Sequence, residues 1–329
     1  MLKMVFFLFL YIVIISILYW LGVVTYEPWG QVKYLYEHGV DLEYVLVNGV
    51  FSHPHFMRYI LVSGLYYISD AYDFNIQTVY SIYLLALSTL LFIAIPKLVS
   101  NIYSTDIRSI DIPGWMFLLL MIITLLFFVN GRAFFALLGV TLSSIVSAGL
   151  KRESIVTGLL FSASASLLSS VSSGVFMVSY ALLVISAIRA FFYGRYLFAV
   201  SLFLLAYYFL ELVYIYISKV FLFYSVTGYQ DVTNIFSHGI FSVEQMGYVA
   251  LFATIIIALF ILTIFYAMGC YEKINKELLL IILTIIGFGV FGDLTLSMII
   301  VPFMVAVMAA PSAWLGSNLC TPKIPSISC

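Results

Sequence analysis

The chain has 329 residues, of which 64% are hydrophobic and only 9% are charged, and its mean hydropathy is +1.16. Soluble globular proteins carry about 25% charged residues, so this composition excludes a soluble globular protein and predicts an all-α polytopic membrane protein. The formal net charge of -1 offers no basic field, so no nucleic-acid partner is expected.

The first segment predicts a membrane span that is kept in the mature protein. It has one basic residue, Lys3, followed by about 20 apolar residues, enough to cross roughly 30 Å of hydrocarbon at about 1.5 Å per residue. No small-residue cleavage site precedes Tyr26, which argues against a removed signal peptide.

Hydropathy predicts nine further spans, which gives about ten transmembrane helices in all. They lie near residues 77–96, 114–129, 133–150, 155–171, 175–190, 197–217, 249–268, 278–292 and 294–310. The region 278–310 also fits a re-entrant pair. The chain shows no repeat of fixed period and no soluble segment, so residues 1–329 are interpreted as a single integral membrane domain.

Two larger polar loops interrupt the apolar sequence, at about residues 25–76 and 218–248. Together they hold all four histidines, and three of these lie in the first loop. Within that loop, the segment from Arg58 to Asp70 is too short to span a membrane and predicts a helix at the membrane interface.

The distribution of the 14 Lys and Arg residues predicts the topology. With the amino terminus in the cytoplasm, ten of them fall on the cytoplasmic side of the predicted spans, where basic residues are retained. The four on the other side are Lys33, Arg58, Arg132 and Lys219. Both termini are therefore expected in the cytoplasm, and both large loops are expected in the periplasm.

The run His53-Pro54-His55 could be read as a metal site, but no thiol and no regularly spaced carboxylate accompanies it. The three cysteines, Cys270, Cys320 and Cys329, also lack metal-ligand spacing. The sequence therefore predicts no bound metal and no disulfide framework. The alternative role for these histidines is hydrogen bonding to water and backbone at the interface.

Arg58 and Arg132 carry a sharper argument because they oppose the positive-inside tendency. A guanidinium is always charged and binds phosphate through two parallel hydrogen bonds, which suits a lipid phosphate or diphosphate. The alternative for Arg132 is snorkelling toward lipid headgroups. Glu211, inside a predicted span, is expected either to act in the site or to pair with a buried Lys or Tyr.

The predicted span 155–171 is rich in serine. Ser162, Ser166, Ser169 and Ser173 fall on one helical face. Such a face indicates either close packing against a neighbouring helix or a wet wall of a cavity.

The layout resembles a known family. A span, a loop with acidic residues and a His-Pro run, and an interfacial helix are followed by the segment VNGRAFFALLGVTLSSIVSAGLKRESIVTGLLFSASASLLSSVSSGVFMVSY. This layout resembles the Wzy-type (EpsG-like) polysaccharide polymerases of O-antigen and capsule assembly. Two elements differ from that group. Gly39-Val40-Asp41 stands where a Gly-Thr-Asp-Tyr element is usual, and Ser170-Val171-Ser172 forms a turn that often contains histidine.

This resemblance implies a glycosyltransferase in the bacterial inner membrane that joins undecaprenyl-diphosphate-linked repeat units at the periplasmic face. Arg58, Arg132 and Lys219 are then expected to bind the diphosphate. The proton acceptor is expected among His53, His55, Asp41, Glu27 and His238. The implied partners are the lipid-linked oligosaccharides, the bilayer, a chain-length regulator and a flippase, and no cofactor is expected.

Three other classes remain open. A transporter or flippase for lipid-linked oligosaccharides also needs many spans, but it is expected to show broken helices in two symmetric halves. A glycosyltransferase that uses polyprenyl-phosphate sugars would share the acidic first loop with Glu27. An acyltransferase would need its histidines near a cytosolic donor, on the side opposite to that predicted here.

Overall fold

A computed structural model of the chain describes residues 2–24, 26, 37, 56–128, 131–226 and 276–289. Within these residues the regular structure is helical and contains no strand. The helices, in chain order, are α1 (Leu2–Trp20), α2 (Phe56–Tyr72), α3 (Ile76–Tyr103), α4 (Ile112–Phe128), α5 (Gly131–Gly149), α6 (Ile155–Ser169), α7 (Ser173–Phe192), α8 (Tyr196–Val226) and α9 (Lys276–Gly289). A single 3₁₀ turn, Ile107–Ser109, connects α3 to α4.

Helices occupy eight of the ten segments that hydropathy predicts as spans. The predicted spans 249–268 and 294–310 lie outside the described residues. Among the described residues, four helical segments are long and apolar enough to cross a membrane: Leu2–Trp20, Ile76–Tyr103, Gly174–Phe192 and Tyr196–Ser218. Three more are apolar but shorter: Ile112–Leu126, Phe134–Gly149 and Ile155–Ser169. The described part of the chain is therefore all-helical, with several helices suited to a membrane.

Helix α5 lies at the centre of the described bundle. It packs against α3, α6, α7 and α9, and each residue from Phe134 to Thr141 is buried. A helix that is buried on all sides must be apolar around its whole circumference, and this one carries only small or weakly polar residues between its large ones. The small residues allow neighbouring backbones to approach closely.

The serine-rich face of α6 provides one of these close approaches. Ser162, Ser166 and Ser169 are buried, and a Cβ added to Gly139 of α5 would lie 3.0 Å from the Ser169 nitrogen. These three serines therefore lie in the packed interior of the bundle, and Ser169 packs directly against α5. The side chain of Ser173 lies outside the described part.

Four of the described helices are followed by a residue in a left-handed conformation, which reverses the chain. These residues are Gly22 (φ 68°), Asp73 (φ 53°), Ser104 (φ 55°) and Gly194 (φ 73°). After α7, the Arg195 amide donates to the Ala190 carbonyl and the Gly194 amide donates to the Phe191 carbonyl. This pair of bonds is a Schellman motif, and it reverses the chain sharply into α8.

Side-chain contacts define two ends of the bundle. At the Glu153 end, the last turn of α3 meets the α5–α6 turn through Asn101 and Glu153, and the α7–α8 turn meets the same place through Arg195. At the opposite end, here called the Tyr26 end, Tyr26 contacts α3, α4 and α5. Helices α3, α5 and α7 begin at the Tyr26 end and finish at the Glu153 end.

Apart from Lys276 at the start of α9, the basic residues on described backbone divide into two groups, one at each end. The first group, at the Glu153 end, comprises Lys3, Lys97, Arg108, Lys151, Arg152, Arg189 and Arg195. The second group, on helix segments at the Tyr26 end, comprises Arg58, Arg132 and Lys219.

Candidate functional site

The Tyr26 end is held together by two tyrosines that bond to backbone carbonyls. Tyr26 is 8% exposed, and its hydroxyl donates to the Leu126 carbonyl at 2.9 Å. Its amide donates to Ser81 Oγ at 3.0 Å, and its ring meets Phe134 edge to face with centroids 6.2 Å apart. The chain that enters the first polar loop is therefore fixed to three helices at once.

This contact fixes the start of α5 near Tyr26, and Arg132 precedes Phe134 by two residues. Glu27, the next residue after Tyr26 in the sequence, lies outside the described residues. Burial raises the pKa of the Tyr26 hydroxyl above its ordinary value, so the group stays protonated and donates its hydrogen bond at neutral pH.

The second tyrosine, Tyr216, joins α8 to the turn between α6 and α7. Its hydroxyl donates to the Ser170 carbonyl at 2.6 Å, and its ring lies 5.4 Å from that of Phe176. Ile60 and Leu61 of α2 pack against the same cluster. The segments that carry Arg58 and Lys219 therefore meet at this turn, because Arg58 precedes Ile60 by two residues and Lys219 follows Tyr216 by three.

Helix α2 covers the segment of the first loop that the sequence predicts to be an interfacial helix. It packs along α3 and buries Val62 and Tyr66 while exposing Tyr67 and Tyr72. One buried face and one exposed face are typical of a helix that lies against a bundle at its edge.

Two of the predicted anion-binding residues lie at helix N-termini of the Tyr26 end. Helices α3, α5 and α7 begin there while α1, α4 and α6 finish there, and each helix N-terminus carries a partial positive charge from the aligned peptide dipoles. Arg132 is the second residue of α5, and Arg58 is the third residue of α2. Both cations thus occupy first turns, where the helix dipole disfavours positive charge unless an anion compensates for it.

The structure places three of the eight predicted site residues on described backbone: Arg58, Arg132 and Lys219. Their side chains are not among those described. The other five, Glu27, Asp41, His53, His55 and His238, lie outside the described residues. No group of three or more His, Cys, Asp or Glu residues with metal-binding geometry occurs within the described part of the chain.

Glu211 differs from one of the two expectations. Its side chain is exposed on the surface that α8 presents away from the described bundle, beside the exposed rings of Tyr207, Tyr208 and Tyr214. Among the described residues it is therefore not a buried partner for a lysine or tyrosine.

Sequence reasoning missed a polar network at the Glu153 end. Glu153 is 6% exposed and pairs with Lys97 Nζ at 2.7 Å, and its Oε1 also accepts from Asn101 Nδ2 at 3.1 Å. The Asn101 amide donates in addition to the Ile145 carbonyl of α5 at 3.1 Å. The sequence feature that could have indicated this network is Glu153, a single acidic residue directly after Lys151 and Arg152.

This network packs so closely that only glycine fits beside it. A Cβ at position 149 would lie 2.3 Å from Asn101 Nδ2 and 2.8 Å from Glu153 Cγ. The network joins the last turn of α3 to the α5–α6 turn, and the side chains of Lys97, Asn101 and Glu153 bond to one another. These three residues are called the clamp below, because their contacts hold the two segments together rather than forming a reactive centre.

Comparison with known proteins adds no relative. The chain matches no protein-family model, no curated protein and no solved structure.

Proposed function

We propose that this chain is a membrane glycosyltransferase that polymerises undecaprenyl-diphosphate-linked oligosaccharide repeat units at the Tyr26 end. The observation that carries the proposal is the position of Arg58 and Arg132 in the first turns of α2 and α5. A cation at a helix N-terminus is unfavourable alone, whereas an anion bound beside it is stabilised by both the side chain and the helix dipole.

A diphosphate suits this arrangement better than a carboxylate does. It offers several oxygens to more than one guanidinium, and each guanidinium can form two parallel hydrogen bonds. The contacts around Tyr216 and Tyr26 bring the segments of Arg58, Arg132 and Lys219 to one end of the bundle. The leaving group of the proposed reaction is a diphosphate of this kind.

In the proposed reaction, a sugar hydroxyl of one repeat unit attacks the anomeric carbon of another. The bond from that carbon to the diphosphate oxygen breaks, and undecaprenyl diphosphate leaves with the electron pair while the configuration inverts. Cations beside the diphosphate stabilise the charge that develops on the leaving oxygen. A carboxylate or imidazole takes the hydroxyl proton, and the candidates are Glu27, Asp41, His53, His55 and His238.

The topology behind this proposal can be tested with alkaline-phosphatase fusions, which are active only in the periplasm. Fusions after Asn48 and Thr233 are expected to be active. A fusion after Ser109, which lies at the Glu153 end, is expected to be inactive. An active fusion at Ser109 would place the Glu153 end outside and contradict the assignment of the site.

The activity itself is tested by gel analysis of surface polysaccharide in a strain that lacks the gene. A polymerase defect leaves single repeat units attached to their acceptor. Complete loss of repeat units would instead support the flippase alternative and contradict the polymerase proposal. Complementation with the wild-type chain is expected to restore the ladder of polymer lengths.

A further inference from the structure

Two turns at the Glu153 end bring two cations, Lys151 and Arg189, onto the Tyr193 ring and hold a third, Arg195, against the same α5–α6 turn. Lys151, in the α5–α6 turn, places its Nζ 4.5 Å from the centre of the Tyr193 ring. Arg189 donates to the Tyr193 hydroxyl at 3.1 Å and to the Ser147 carbonyl at 3.2 Å. Arg195 donates to the carbonyl of Leu150, the residue before Lys151. These four residues, Lys151, Arg189, Tyr193 and Arg195, are called the Tyr193 patch below.

The contacts of this patch hold the side chains in place without neutralising them all. Lys151 rests on an aromatic ring, and Arg195 donates to a neutral carbonyl and lies 4.8 Å from the Phe198 ring. The carboxylate closest in sequence, Glu153, is buried and already pairs with Lys97 from the side of α3. Positive charge is therefore concentrated on this corner of the bundle.

The surroundings of the patch are apolar and exposed. Phe191, Phe192, Tyr196 and Leu197 flank it on α7 and α8, and each is more than half exposed. Cations beside exposed aromatic and aliphatic side chains are typical of a surface at the boundary between hydrocarbon and water. Lipid headgroups lie at that depth, with their acyl chains along the apolar helix faces.

We propose that the Tyr193 patch binds the phosphate of an anionic phospholipid. The ammonium of Lys151 and the guanidinium of Arg195 supply charged donors to the phosphate oxygens. The exposed rings of α7 and α8 pack against the acyl chains. A basic pocket between transmembrane helices recognises lipid headgroups in this way. This inference does not depend on the proposed polymerase activity.

The tendency of basic residues to remain on the cytoplasmic side would by itself explain cations at this end. The test must therefore distinguish a specific lipid site from a general attraction between positive charge and anionic lipid. The full chain is purified in a neutral detergent, and native mass spectrometry measures its affinity for phosphatidylglycerol and for phosphatidylcholine. The patch predicts tighter binding of phosphatidylglycerol. Because each cation contributes about 1 kcal/mol near a charged surface, Lys151→Gln is expected to weaken phosphatidylglycerol binding about fivefold.

The variant that combines Lys151→Gln with Arg195→Gln is expected to weaken binding about thirtyfold, if the two contributions add. Arg108→Gln is the matched control, because Arg108 is an exposed cation at the same end but lies in the α3–α4 connection. It is expected to leave the affinity unchanged. Lys151 is exposed and its described contact is the Tyr193 ring, so the single variant decides the question even if the double variant fails to fold.

A competition arm separates a lipid from free phosphate. Inorganic phosphate at millimolar concentration is expected to leave the bound phosphatidylglycerol in place, because it lacks acyl chains. Displacement by inorganic phosphate would overturn the proposal of a lipid site. Equal affinity for the two phospholipids, or equal losses in Lys151→Gln and Arg108→Gln, would overturn it as well.

Discussion

The two ends of the bundle differ in where their basic residues lie relative to the helix termini. At the Glu153 end, α3, α5 and α7 finish, and Arg189, Arg195 and Asn101 donate to the carbonyls of the last turns of α5. The C-terminal ends of α3, α5 and α7 carry partial negative charge, which favours the cations beside them, although Arg195 also directly precedes the first residue of α8. At the Tyr26 end, Arg58 and Arg132 lie in the first turns of α2 and α5, so the dipoles of their own helices oppose them.

This difference separates cations that have described protein partners from those of the proposed diphosphate site. Arg189 and Arg195 donate to the carbonyls of Ser147 and Leu150, and Lys97 pairs with Glu153. For Arg58 and Arg132, a bound anion would compensate the unfavourable helix dipole. The described contacts that fix the Tyr26 end are instead neutral hydrogen bonds from Tyr26 and Tyr216.

The largest loss of stability is expected from breaking the clamp at the Glu153 end. Glu153→Ala removes the ion pair to Lys97 and leaves Asn101 without one of its two acceptors. Lys97 is 38% exposed, so solvent screens part of the pair, and a destabilisation of about 2–3 kcal/mol is expected. Unfolding titrations in mixed detergent micelles measure it.

The matched control for this variant is Asp111→Asn, which alters an acid at the same end that holds no described ion pair. A change within about 0.5 kcal/mol is expected for it. If Glu153→Ala is no less stable than Asp111→Asn, the clamp does not join α3 to the α5–α6 turn as described.

A somewhat smaller loss is expected from Gly149→Ala, which inserts a methyl group into the same clamp. The new carbon would lie 2.3 Å from Asn101 Nδ2, so the amide must move and its hydrogen bonds must weaken. Overpacking of this kind costs about 1–3 kcal/mol. Gly64→Ala is the control, because no atom lies within 4 Å of its added carbon and alanine favours helix. A stability gain in both variants would contradict the close packing at position 149.

Hydropathy located the helices well but underestimated the length of two. The predicted span 77–96 lies within the longer helix Ile76–Tyr103, and the predicted span 197–217 lies within Tyr196–Val226. In α3 the helix continues past Lys97 because Lys97 and Asn101 find partners on the α5–α6 turn. A hydropathy window reads such residues as a boundary, since it contains no information about partners about 50 positions away.

The same limit explains what the sequence could say about the site. The opposition of Arg58 and Arg132 to the positive-inside tendency was visible from their positions between spans. The clamp was not visible in the sequence, because it depends on contacts of Glu153 with Lys97 and Asn101 on another helix. The choice among the five loop acids and histidines stays a prediction, since those residues lie outside the described part of the chain.

The smallest stability effect is expected at the Tyr26 end. Tyr26→Phe removes the donor to the Leu126 carbonyl but keeps the ring against Phe134, so a loss of about 1 kcal/mol is expected. Tyr67→Phe is the control, because Tyr67 is exposed. The raised pKa of Tyr26 predicts a stabilisation that is complete below a pH of about 10, the ordinary tyrosine pKa, and that falls as the pH rises further. A loss that sets in between pH 6 and 8 would contradict this assignment.

The central claim is that cations at the Tyr26 end bind the diphosphate while those at the Glu153 end do not. The most direct measurement is the rate of polymerisation by Arg132→Lys and Arg108→Lys at matched protein levels in membranes. Lysine keeps the charge but loses the paired donors, so Arg132→Lys is expected to lose about 1.5–3 kcal/mol of transition-state stabilisation, or roughly tenfold to hundredfold in rate. Arg108→Lys is expected to retain the wild-type rate. Full activity in Arg132→Lys would contradict the claim, because an arginine that only snorkels to headgroups is replaced by lysine without loss.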